Sequence, residues 1–256
     1  MTETAQGRPG DITGQLYLYE KPELLTLEAH GTLGFTPNER PFDFVRNINV
    51  IPLTMAEFGS AQRHCPIVFS SFEEPVPLAV VGVVEQKNLF VDADGNWDPM
   101  VYLPTYLRCH PFAFASGAPN GQVAVVVDRN AATVTENPKF PFFVDGKISE
   151  QTDSLMQMCA HHDSNAKRTK ALGAKLKELE LLTGLRATYT PEGASEPETL
   201  MDYISIDADK LTSLDADTVH ELHTSGLLSA MYLQLYSLEN WRHLMARREK
   251  QLREAA

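Results

Sequence analysis

One stretch occurs twice in this chain of 256 residues, and the repetition limits the fold more than any other feature. Arg63-His-Cys-Pro-Ile-Val-Phe-Ser returns forty-five positions later as Arg108-Cys-His-Pro-Phe-Ala-Phe-Ala. Each copy sets an arginine three residues before a proline and follows the proline with an apolar run containing phenylalanine. Proline stops a helix, and an aromatic or β-branched run after it reads as the start of a strand.

The flanking residues extend the parallel. Thr54 is a helix cap with Glu57 three residues on, and Met55, Phe58 and Ala61 share one helical face, so a short helix up to about Gln62 delivers Arg63. Val101 to Leu107 resembles that helix, although Pro104 limits it to one turn. Leu78-Ala-Val-Val-Gly-Val-Val and Val123-Ala-Val-Val-Val-Asp then read as second strands, with Ala79 and Ala124 keeping the same offset. Leu89-Phe-Val-Asp and Phe142-Phe-Val-Asp read as third strands, after an insertion around Thr133–Lys139. Pro119-Asn120-Gly121 is a hairpin turn signal. The expectation is two β-β-β-α units, about 54–99 and 101–160, packed about a pseudo-twofold axis because each covers the apolar face the other cannot.

Beyond Asp153 the period turns helical. Ser154–Cys159 reads as one helix and Asn165–Thr183 as a longer one, with Leu172, Leu176, Leu179 and Leu182 on a stripe and Gly184 as its stop. Residues 190–199 form an acidic loop, Tyr203-Ile-Ser-Ile-Asp a brief strand, and Asp217–Ser225 and Leu227–Arg253 the closing helices. Leu228, Met231, Leu235, Leu238, Trp241 and Met245 make the apolar face of the last. The fold class expected is α+β. Residues 1–15 form a flexible arm, and 16–149 a duplicated, mainly antiparallel sheet or barrel-like core. Residues 150–256 form a helical layer packed on that core in one compact domain.

Composition serves here to exclude. A formal charge of −12 repels nucleic-acid backbones. The basic cluster Arg242, Arg247, Arg248, Lys250 and Arg253 is expected to cap and solubilise the last helix. No apolar run is long enough to span a bilayer, and Met1–Gln15 has no secretory pattern. Cys65, Cys109 and Cys159 are an odd set with no Cys-x-x-Cys, which points to a reducing, cytoplasmic setting.

Catalytic and metal motifs fail on spacing. His220-Glu-Leu-His223 is i, i+3 and lacks the zincin geometry. Asp92-Ala-Asp-Gly-Asn-Trp-Asp has its glycine at the fourth place and Leu103 where a calcium loop needs glutamate. His161-His162-Asp163 presents diverging side chains. Nucleotide loops and the Gly-x-Ser-x-Gly elbow are absent. Neither catalytic residues nor a cofactor are assigned. The candidate ligand-binding residues are Arg63 and Arg108, whose guanidinium forks suit an anionic small molecule or peptide, together with His64, His110 and Tyr102. A metal-dependent enzyme using His161, His162 or His220 is the alternative, and a homo-oligomeric scaffold a third reading.

Four segments in consistent order resemble the bacterial SapC family. They are Met55-Ala-Glu-Phe-Gly-Ser-Ala-Gln-Arg-His-Cys-Pro-Ile-Val-Phe, Asn88-Leu-Phe-Val-Asp-Ala-Asp-Gly-Asn-Trp, Tyr102-Leu-Pro-Thr-Tyr-Leu-Arg-Cys-His-Pro-Phe-Ala-Phe and His223-Thr-Ser-Gly-Leu-Leu. The likeness spans roughly residues 15–245. It implies no catalytic residues. It implies an accessory role near an uptake system, since members occur beside TonB-dependent receptors and halogenase-like proteins, and the family name derives from a surface-layer link.

Overall fold

The computed structural model describes residues 16–83, 86–116, 123–190 and 195–255. The expected N-terminal arm, the Pro119-Asn120-Gly121 turn and part of the acidic loop lie outside the described residues. The strands are β1 (Pro22–Leu24), β2 (Leu33–Phe35), β3 (Val50–Pro52), β4 (Ile67–Phe69), β5 (Pro77–Val80), β6 (Phe112–Ser116), β7 (Val123–Asp128), β8 (Val134–Glu136) and β9 (Phe140–Pro141). They continue with β10 (Phe143–Val144), β11 (Lys147–Ile148), β12 (Leu182–Tyr189) and β13 (Glu198–Ile206). The helices are α1 (Leu27–His30), α2 (Phe58–Ala61), α3 (Thr105–Cys109), α4 (Glu150–Glu178), α5 (Ala208–Thr212), α6 (Ala216–Thr224), α7 (Leu227–Ser237) and α8 (Trp241–Ala255).

The strands form antiparallel sheets in the orders β12-β13-β4-β5-β3, β1-β7-β6 and β8-β2-β9, with β10-β11 as a separate hairpin. None of them closes into a barrel. Both arginine stretches do end a short helix and open a hairpin, α2 into β4–β5 and α3 into β6–β7. The two hairpins belong to different sheets, however, and the expected third strands do not correspond. Leu89–Val91 makes only an isolated bridge, Val91 to Trp97, while the 142–145 run contributes the two-residue β10. The Asp92–Trp97 turn explains the first loss: Asp92 Oδ1 accepts from the Asp94 and Asn96 N–H groups and folds the chain back before a strand can extend.

The two expected helices after Ser149 are one, α4, of 29 residues, or about 43 Å at 1.5 Å per residue. Ser149 caps it by accepting from the Thr152 N–H, with Glu150 and Asp153 in the first turn and Lys175 and Lys177 in the last, where the helix dipole favours each sign. It stops at Glu178, short of Gly184, because Glu180 takes a left-handed conformation (φ 52°) and Leu182 enters β12. The strand expected at Tyr203 is the nine-residue β13, paired along its length with β12, so the C-terminal helical region also carries a long hairpin. That hairpin joins the sheet through Ile204 opposite Phe69.

The core divides in two. The larger part packs Phe58, Ile51, Ile67 and Ile206 against Leu172, Leu176, Leu222, Met231 and Leu244 from the helices. The smaller one gathers Leu33, Phe112, Val127, Val134, Phe142 and Cys159, with Phe112 and Phe142 edge to face at 5.1 Å. Helix α4 crosses both, giving Cys159 to one and Leu172 and Leu176 to the other. Apolar burial of this kind is the main favourable term in the fold. Among the described residues no helix is long and apolar enough to cross a membrane.

Each of the three cysteines is buried as a free thiol. Burial pushes the Cys65 thiol up to about 12, and it donates to the Ala61 carbonyl at 3.5 Å. Cys159 Sγ donates to the Phe112 carbonyl at 3.7 Å and to the Cys109 carbonyl at 4.0 Å, and the interaction between the two thiols lowers the pKa of Cys109 and raises that of Cys159. Since thiolate and access are both needed for reaction, Ellman's reagent is expected to label none of the three at pH 8 in the folded protein and all three in denaturant. Rapid labelling without denaturant would contradict this burial.

Candidate functional site

The first junction is held from behind by the C-terminal helices. Gln234 on α7 donates from Nε2 to the Ile67 carbonyl at 2.8 Å, and Ser237 Oγ accepts from the Ile67 N–H at 2.8 Å. Asn240 Nδ2 donates to the Gln62 carbonyl at 2.7 Å and to the Cys65 carbonyl at 3.4 Å. Gln234 and Ser237 lie on α7, and the 3₁₀ turn Leu238–Asn240 that follows sets Asn240 in line with Ser237, because that helix repeats every three residues. His243 is the next member of the series. With the backbone tied on both sides, Arg63 and His64 face outward, Arg63 exposed and His64 half-buried.

They border a cleft of about 210 Å³ completed by Phe90, Met100, Val101, His243, Leu244 and Arg247. Phe90 and Leu244 are buried beneath it. Arg247 lies over the Phe90 ring at 5.0 Å and donates to Asp98 Oδ2 at 2.7 Å. Burial works to raise the Asp98 pKa, but the Met100 N–H and the Arg247 guanidinium outweigh it and hold the carboxyl below its usual range. The Arg247–Asp98 pair is therefore neutral as a unit. The Arg63 guanidinium makes no hydrogen bond or ion pair with the described residues and carries the cleft's uncompensated charge. Burial, then Arg63 and Arg247, lower the pKa of His64.

The remaining candidates sit elsewhere. Arg108 is exposed at the end of α3 and does not line the cleft. Tyr102 is committed to Glu57, donating to Oε1 at 3.0 Å. The same oxygen accepts from the Thr105 N–H at 2.7 Å, and Oε2 accepts from the Thr54 N–H and hydroxyl, both at 2.8 Å. The capping glutamate read from the sequence thus also serves the start of α3 and binds the two junction helices together. His110 stacks on Phe44 at 4.1 Å and faces Asp128 at 3.7 Å. Burial alone would raise the Asp128 pKa, but His110 and the N–H groups of Glu20, Lys21 and Asn130 hold it at about 2. His110 is packing for the second hairpin, one position out of step with His64.

The histidines of the metal alternative are dispersed as well. His161 and His220 are exposed, whereas His162 turns inward against Tyr106, its ring 5.9 Å from the tyrosine's. Among the described residues no group of three or more His, Cys, Asp or Glu is placed to hold a metal ion. A wider trough of about 550 Å³ runs over β4, β12 and β13, but its charged groups, Arg186 and Asp202, are paired with each other at 2.6 Å and so leave no charge for a ligand.

Sequence reasoning missed His243, Arg247 and Asp98. The C-terminal basic cluster was expected to cap and solubilise the last helix, yet Arg247 reaches Asp98, 149 positions earlier in the chain. The available signal was the i, i+4 spacing of His243 and Arg247, which places both on one helical face.

The arrangement is that of an α+β protein whose helix–hairpin junction presents an arginine to a small, apolar-floored cleft. The SapC family model matches residues 25–244, and the chain belongs to that family. No curated protein and no solved structure matches it.

Proposed function

We propose that this protein is a non-catalytic binding or accessory protein that takes an anionic small molecule in the cleft beside Arg63. The observation that carries the reading is the Arg63 guanidinium, uncompensated by the described residues and held at a cleft that Arg247 and Asp98 wall without adding net charge. A preformed concave site with an apolar floor and a few placed polar groups is the usual form of a small-molecule site. The cleft's size favours a small molecule over a peptide. On this reading the doubled helix–hairpin is a duplicated scaffold in which the first copy bears the site and Arg108 has no part in it. The family resemblance supports an accessory place beside a bacterial uptake receptor, in the cytoplasm.

The test begins with native mass spectrometry of the purified protein to find bound anions, followed by calorimetric titration of those found. Arg63→Gln is expected to weaken binding about 30-fold, the effect of losing a charge-assisted hydrogen-bonded pair worth about 2 kcal/mol. Its melting temperature should be unchanged, because the side chain is exposed. Arg108→Gln should bind as the parent does. Equal losses in the two variants would move the site to a surface shared by both arginines.

A further inference from the structure

We infer that the cleft selects a monocarboxylate bearing a neutral hydrogen-bond donor, a hydroxy acid with an apolar side group, an inference that rests on the anion-binding reading of the same cleft. With Arg247 and Asp98 paired at 2.7 Å, Arg63 supplies one cation to the cleft, which matches one carboxylate in a fork-to-fork pair.

The second element is the orientation of two side chains. Asn240 Nδ2 donates to the carbonyls of Gln62, Cys65 and Ser237, so its amide cannot be flipped without facing three acceptors with an oxygen. Asn240 Oδ1 is thereby left toward His243 Nδ1, 3.1 Å away, and accepts a hydrogen bond from it. Neutral imidazole carries one N–H; with that hydrogen on Nδ1, Nε2 is an acceptor. It makes no hydrogen bond with the described residues, and His243 lines the cleft. The cleft thus offers a guanidinium for a carboxylate and an imidazole lone pair for a donor on the same ligand.

That donor is a hydroxyl. An ammonium group would need a carboxylate partner, and Asp98, the acid beside the cleft, is already held by Arg247 and the Met100 N–H. The ligand's remaining surface meets Met100 and Val101, with Phe90 and Leu244 buried beneath, which suits an apolar side group.

The experiment is calorimetric titration of the full chain at pH 8, above the ordinary histidine range, with four probes. These are 2-hydroxy-4-methylpentanoate, 4-methylpentanoate, leucine, and the amide of the hydroxy acid. The hydroxy acid is expected to bind best, the acid without the hydroxyl about 10-fold more weakly, leucine more weakly than the hydroxy acid, and the uncharged amide not at all. In His243→Phe the preference for the hydroxy acid over the unsubstituted acid should vanish. In Arg63→Gln both acids should bind about 30-fold more weakly. If neither acid binds the parent protein, the anion-binding reading falls and this inference with it. If both bind equally and depend on Arg63, if leucine binds most tightly, or if His243→Phe keeps the hydroxyl preference, the anion site stands and its assignment to hydroxy acids is overturned.

Discussion

Glu57→Ala is expected to destabilise the protein by about 4 kcal/mol and to lower its melting temperature by roughly 10 °C. Glu57 is 6% exposed and accepts from four donors: the Thr54 N–H, the Thr54 hydroxyl, the Tyr102 hydroxyl and the Thr105 N–H. Truncation leaves those donors facing a cavity, and a buried donor without a partner costs more than the net worth of the bond it made. Glu57→Gln separates chemistry from volume. Its amide replaces one acceptor oxygen with an NH₂ group that faces two donors, and it should cost about 2 kcal/mol. Urea denaturation followed by circular dichroism measures both. A loss below about 1 kcal/mol for the alanine variant would mean that the donors find water.

The second large effect is expected at Gln234. This side chain is fully buried and clips α7 to two strands, donating to the Ile67 carbonyl at 2.8 Å and to Ser205 Oγ at 3.0 Å and accepting from the Ile206 N–H at 3.3 Å. Gln234→Leu keeps a buried side chain of similar bulk but leaves the Ile67 carbonyl and the Ile206 N–H without these partners. Each unsatisfied buried backbone group costs about 1–3 kcal/mol, so a loss of about 3 kcal/mol is expected, read as a lower urea midpoint at unchanged slope. An unchanged midpoint would show that the clip adds nothing beyond shape.

Legibility in the sequence followed range. The Thr54–Glu57 cap, the helix ended before Pro66, the strands after both prolines and the helical C-terminal half were all readable, because each depends on neighbours within a turn or two. The third strand at Leu89 was not, since the Asp92 side chain folds the chain back locally and outweighs the apolar run. The extent of α4 and of β12–β13 was also misjudged. Gly184 is a plausible helix stop by propensity, but pairing of Leu182–Tyr189 with Glu198–Ile206 claimed it for a strand, and tertiary pairing commonly overrides propensity.

For the candidate site the division is sharper. Arg63 and His64 were found through the repeat, yet the repeat also recommended Arg108 and His110, and these, like the further candidate Tyr102, do not line the same cleft. The sequence by itself determined that a short helix ends before each proline, which runs are apolar, and that an arginine stands at each junction, all consequences of local sterics and periodicity. The tertiary structure alone decided that Glu57 serves two helices, that Gln234, Ser237 and Asn240 hold the junction from behind, and that His243, Arg247 and Asp98 share its cleft. Those pairings join residues as much as 178 positions apart. Local pattern cannot state them, because a polar side chain's partner is set by which surfaces meet when the apolar faces are buried.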